Sequence, residues 1–248
     1  IAISAANTPG DADSLFKITT AGSYYFAGNI TGVAGKHGIE VALGGGNGAV
    51  NIDLMGFTLK GVPGSLNGWA PGNGQYNLAL TNGTVQGWGG HGVSVGTNSL
   101  VHLQDLTLTL NGGWGVATGG ALRLRNCTVL MNVQGGIDAG GDVDLSDLAI
   151  LLNGGPALLA DTGNHRIAST RIVADGLVNS APLVSLNGGG VADGLSMKVS
   201  NSTFTETVVR GRTTNFSMTL SADGITANSL VENIAPNEIR ATNCTLST

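Results

Sequence analysis

Charge is scarce in this chain. Charged side chains make up 11% of 248 residues, against roughly 25% in an average soluble domain. So little charge would suit a membrane protein. Yet no apolar run approaches the roughly 18 residues that cross a bilayer, and the longest, Leu148 to Leu152, is strand-sized. The 11 basic residues are scattered and the net charge is −5. A nucleic-acid binder carries a basic stripe, so that class is set aside. Two cysteines are too few for a disulfide framework. Aromatics are 4%, and helix-favouring Glu, Lys, Gln and Arg are sparse.

What is abundant is glycine, 41 residues, with Asn, Thr and Ser. These are turn and strand residues, and the composition is that of an all-β chain. The chain opens on Ile1, Ala2, Ile3 and Ser4 with no visible signal peptide, as a processed mature protein does.

An asparagine returns every 21 residues: Asn111, Asn132 and Asn153 each close a short apolar segment. Aligned on one inward position, Leu54, Leu80, Leu103, Leu124, Leu145, Ile167, Val199, Leu220 and Ala241 form a column. Two residues on comes a polar turn or ladder position: Gly56, Asn82, Asp105, Asn126, Asp147, Ser169, Asn201, Ala222 and Asn243. Five residues on comes a second apolar column: Leu59, Val85, Leu108, Val129, Ile150, Ile172, Phe204, Ile225 and Leu246. A fixed period in this range marks a solenoid.

A coil of about 21 residues is too short for a strand–helix–strand unit, which needs about 30. It fits three short strands and three turns, with coils stacked as parallel strands about 4.8 Å apart. The expected fold is a single-stranded parallel β-helix of about nine to ten coils, its inward asparagines bonded coil to coil. Residues 1–48 are expected to form an N-terminal cap and first incomplete coil. Residues 49–248 form the solenoid, with loop insertions near 61–74 and 177–194.

The pattern resembles the right-handed parallel β-helix repeat proteins of the pectate-lyase-like superfamily. Four segments carry the likeness: Asn7 to Ile18, Gly22 to Ile30, Gly32 to Ile39, and Asp53 to Leu66 with its Gly-Phe-Thr-Leu-Lys-Gly core. They are similar to secreted bacterial β-helix proteins of unassigned function. The resemblance implies right-handed coiling and secretion. It says little about activity, since the fold hosts lyases, hydrolases, adhesins and fibres.

Candidate chemistry is thin. The segment Gly90-His91-Gly92 is similar to one in polygalacturonases, where the histidine works with three acidic residues. Here no acidic residue lies between Asp53 and Asp105, and no Asp-Asp pair exists. Glycoside hydrolysis needs two carboxylates, which His91 does not supply. A repeat turn that holds a histidine is the plainer reading. Asp138, Asp142, Asp144 and Asp147 form the densest acidic group, a conceivable hard-cation site. The repeat instead places Asp144 in a charge ladder with His102, Arg123, Arg166 and Lys198. His91, Trp114 and Trp88 fall on neighbouring coils, with Trp69 not far away. They either offer a sugar-stacking face or pack a corner. Cys127 and Cys244 share one repeat slot five coils apart, roughly 24 Å at the sheet spacing, so they are expected to be free thiols.

An open solenoid end is an unpaired sheet edge. Ile1, Ala2 and Ile3 at one end, and Cys244 and Leu246 at the other, are the candidate assembly contacts. The first expectation is a secreted, non-catalytic structural subunit stacking end to end on copies of itself. The alternative is an extracellular polysaccharide-binding or polysaccharide-degrading protein using the His91, Trp114 and Trp88 face. No cofactor, metal site, catalytic set, nucleic-acid partner or membrane span is expected.

Overall fold

The computed structural model describes residues 1–44, 48–72, 76–97, 99–204, 207–211, 215–227, 229–233 and 244–246. Of Cys244 and Leu246 only the backbone is described, and Ala241 and Asn243 lie outside the described residues. Among the described residues there is no helix, hence none long and apolar enough to cross a membrane. The described residues form two large parallel sheets, one of ten strands and one of thirteen, and a small two-stranded sheet. The fold is a parallel β-solenoid, as the repeat predicts.

Alternation builds each coil. In the strand Val143–Leu151, Val143 and Leu145 point inward, then Leu148 and Ile150. The phase slips by one across Asp147, whose φ is 56°. That left-handed residue turns the strand and divides the larger sheet into two faces, giving three strand segments per coil. The same corner is made by Asn82, Asp105, Asn126 and Ser169, all at positive φ. Asn and Asp tolerate this region because short polar side chains bond locally. The predicted polar position is thus a conformational one over these coils.

Inward residues stack in registered columns. Leu80, Leu103, Leu124, Leu145 and Ile167 pair in sequence. So do Leu59, Val85, Leu108, Val129, Ile150 and Ile172. All are buried, and each contributes about 1.5–3 kcal/mol before entropy is charged against it. The asparagine ladder closes the second corner. Asn111 Nδ2 donates to Asn132 Oδ1 at 2.8 Å, and Asn132 Nδ2 to Asn153 Oδ1 at 3.0 Å. The same oxygens accept the backbone N–H of Asn111 and Asn132. All three asparagines are buried, and the ladder satisfies groups that would otherwise cost about 1–3 kcal/mol each.

Register departs from the expected template at both ends. Ile52, not Leu54, pairs with Leu80. Beyond residue 173 the coils widen. Ile167 pairs with Ala192 rather than Val199, and Ile172 with Met197 rather than Phe204. Two further residues per coil create an additional inward column of Ala174, Val199 and Ala222, whose backbone pairing continues to Cys244. Residues 177–194 are therefore no loop insertion. They hold the strands Val178–Asn179 and Val184–Leu186 and the start of Gly189–Ser200. A solenoid absorbs extra residues by enlarging its cross-section while each backbone group keeps its partner. Within 61–74, Trp69–Pro71 is likewise a strand of the ten-stranded sheet. The shared slot of the two cysteines is lost too, since Cys244 pairs with Ala222 while Cys127 precedes the strand Thr128–Leu130.

The N-terminal 48 residues are mostly solenoid. Ser14–Ile18, Gly22–Tyr25 and His37–Val41 already pair in the two large sheets. Only the first 13 residues act as a cap. Ala2 bridges Tyr25 in parallel, and Ile3 N–H donates to Tyr25 C=O at 2.9 Å. Pro9 bridges Phe16, and Lys17 N–H donates to Thr8 C=O. Ile1, Ala2 and Ile3 are thus bonded to the chain's own first coil, with Ile3 buried. The segment is an added strand on the chain's own first coil, paired along one side with Tyr25.

Candidate functional site

The outer face of the ten-stranded sheet carries the richest side-chain chemistry. Registered pairs run from Val93 to Val116 to Ile137 to Leu158, with their side chains inward. The next residues, Ser94, Ala117, Asp138 and Leu159, therefore face out in one column. Two residues before the inward column stand His91 and Trp114, with Gly135 next in line.

Small side chains leave a groove here of about 320 Å³, lined by Ser94, Ala117, Thr118, Asp138 and Asp161 among others. Asp138 is half-buried, and its carboxyl is pushed above the usual range, first by burial and then by Asp161, with His91 opposing. His91 is held below the ordinary imidazole range by burial, which Asp138 opposes. The indole of Trp114 lies against the next coil at Gly135, where a Cβ would come within 2.2 Å of ring carbon Cζ3. Glycine at 135 therefore sets how the ring rests. His91 and Trp114 are brought together as the sequence implied: the Trp114 N–H donates to His91 Nδ1 at 3.0 Å.

Trp88 is not on this face. It is 1% exposed and lies inside the solenoid. It occupies the ladder slot one coil before Asn111, whose Oδ1 accepts the Trp88 N–H at 3.1 Å. Its Nε1–H donates to Leu59 C=O at 3.2 Å. Asn132 and Asn153 make the equivalent bonds to Leu108 and Val129. The indole N–H replaces the asparagine amide, and its rings fill space left by Gly32 and Gly38. Its place in a sugar-stacking face is thus corrected; Trp69 is fully buried as well.

The acidic group is split up. Asp144 Oδ2 pairs with Arg123 Nε at 2.9 Å and Arg125 Nη2 at 3.4 Å. Its register neighbours are Arg123 and Arg166, as expected, but Arg166 continues to Val191 and not Lys198. Asp142 Oδ1 accepts the Asn164 N–H at 2.7 Å. Asp147 makes a corner, and Asp138 belongs to the other sheet. Among the described residues no group of three or more His, Cys, Asp or Glu side chains is placed to hold a metal ion. Cys127 is a buried thiol, pushed up to about 11 by desolvation.

Asp161 escaped the sequence reading, as did the alignment of Asp138 with Ala117 and Ser94. The signal lies in the 21-residue step from Ala117 to Asp138, which is the period of the repeat. No protein-family model, curated protein or solved structure matches this chain.

Proposed function

We propose that the chain is a secreted β-solenoid that binds an extended polysaccharide across the outer face of the ten-stranded sheet. The observation that carries this is the groove flanked by Asp138 and Asp161, on a sheet whose strand Trp114–Thr118 lines it with Ala117 and Thr118 and opens on the half-buried Trp114. An indole packs against the apolar face of a sugar ring, and carboxylates accept its hydroxyl protons. The parallel coils repeat at about 4.8 Å, giving a linear polymer a long straight track. End-to-end stacking of copies is the other reading; at the first coil its contact would fall on residues 1–13, which lie over that coil.

The test is a binding panel of neutral and acidic polysaccharides, read by affinity electrophoresis, with Trp114→Ala alongside. Retention of at least one polymer is expected, weakened about tenfold or more by Trp114→Ala, as for loss of a central aromatic anchor. The melting temperature should change little. Binding of no polymer would sink the reading. Unchanged retention in the variant would move the site elsewhere. Release of new reducing ends would turn attention to Asp138 and Asp161 as an acid and base pair.

A further inference from the structure

A second set of rungs stitches the coils where they enter the ten-stranded sheet. The Asn67 N–H donates to His37 Nδ1 at 3.0 Å. The His91 N–H donates to Asn67 Oδ1 at 2.8 Å. The Trp114 N–H donates to His91 Nδ1 at 3.0 Å. Three successive coils thus each offer a side-chain acceptor to the backbone of the next.

A backbone N–H only donates. Both imidazoles are therefore held with Nδ1 bare and the ring proton on Nε2. A protonated imidazole carries hydrogen on both nitrogens and has no acceptor left. We propose that His37 and His91 form a pH-sensitive latch between coils. Protonation frees the Asn67 and Trp114 amides and loosens the turns entering these coils. The His91 amide stays fixed, because the oxygen that holds it, on Asn67, does not titrate. The latch stands on this geometry alone and does not depend on what the neighbouring groove binds.

The surrounding charges set the direction. His37 faces Glu40 on its own strand and Asp13 and Asp11 from the cap, all favouring its charged form, with burial against it and larger. Lys17 bridges Asp11 and Glu40 at 2.7 and 3.0 Å and draws off part of their field. His91 faces Asp138, again outweighed by burial. Both folded-state values lie below the ordinary one, so the closed latch is neutral. An opened turn takes a proton near the ordinary value of about 6.5. Opening therefore becomes easier as pH falls through about 6.5, up to about tenfold per pH unit until the folded-state value is reached.

The experiment is residue-resolved amide hydrogen exchange of the full chain at pH 7.5 and 5.0, expressed as protection factors. In the wild type, Asn67 and Trp114 are expected to lose about tenfold in protection at the lower pH, and His91 less than about twofold. His91→Asn installs the acceptor that Asn67 already uses and should make Trp114 protection independent of pH. His37→Asn should do the same for Asn67, and decides the matter if His91→Asn fails to fold. The latch is overturned if Asn67 and Trp114 respond no more than His91 in the wild type. It is equally overturned if the asparagine variants keep the acid response.

Discussion

The second corner of the solenoid is built in two ways. In three middle coils the turn residue is Leu110, Met131 or Leu152, at φ of 57°, 53° and 50°, and the next residue is a ladder asparagine. In the flanking coils the turn residue is Gly87 or Gly176, and the next is Trp88 or Leu177. Glycine adopts this conformation freely, whereas other L-residues pay about 1–2 kcal/mol. The large turn residues also stand in solvent, Leu110 57%, Met131 46% and Leu152 41% exposed. The middle coils thus accept local strain and recover it through buried amide bonds. The flanking coils relax the backbone and fill the interior with apolar volume. A corner's stability is therefore shared between adjacent positions, and no single residue's propensity reports it.

Four substitutions at three positions probe that contrast. Trp88→Ala should have the largest effect, about 4 kcal/mol lost in denaturant unfolding, because it opens a cavity and strands the Leu59 carbonyl. Trp88→Asn should recover part of this by adding a fourth rung while leaving the cavity. If it costs as much as alanine, the indole N–H is not the equivalent of the amide. Asn132→Ala comes next, at about 3 kcal/mol, since it removes the acceptor for two donors on Asn111 and a donor to Leu108. A loss under about 1 kcal/mol would mean that water replaces the ladder. Leu110→Asn is expected to raise stability slightly, by up to about 1 kcal/mol, by relieving strain at an exposed position. A loss there would show that the Leu110 side chain is held by contacts worth more than its strain.

Much of this was legible in the residues. Local chemistry repeated at a fixed interval is readable wherever the interval holds. Asn111, Asn132 and Asn153 announced their ladder, and Asn82, Asp105, Asn126 and Asp147 their corner. Through these coils each residue's neighbour lies one period away. The reading failed where the interval changed. Beyond Val173 the 21-residue template points to Val199 and implies a loop, whereas hydrogen bonding between whole coils pairs Ile167 with Ala192 in a wider turn of the solenoid. Trp88 admitted two readings in the sequence, a sugar-stacking face or a packed corner, and its buried place in the ladder slot before Asn111 decides for packing.

By itself the sequence determined the architecture. Period, alternation and turn residues are properties of a single coil, and stacking copies of that coil follows from burying its apolar face. Only the tertiary structure decided which groups meet across coils of unequal length. It folded Ile1 to Ile3 onto the first coil, drew Trp88 inside, and brought Asp161 beside Asp138. It also aligned His37, Asn67 and His91 over unequal steps, because the lateral register of parallel strands is set by the summed hydrogen bonds of whole coils and not by any one residue.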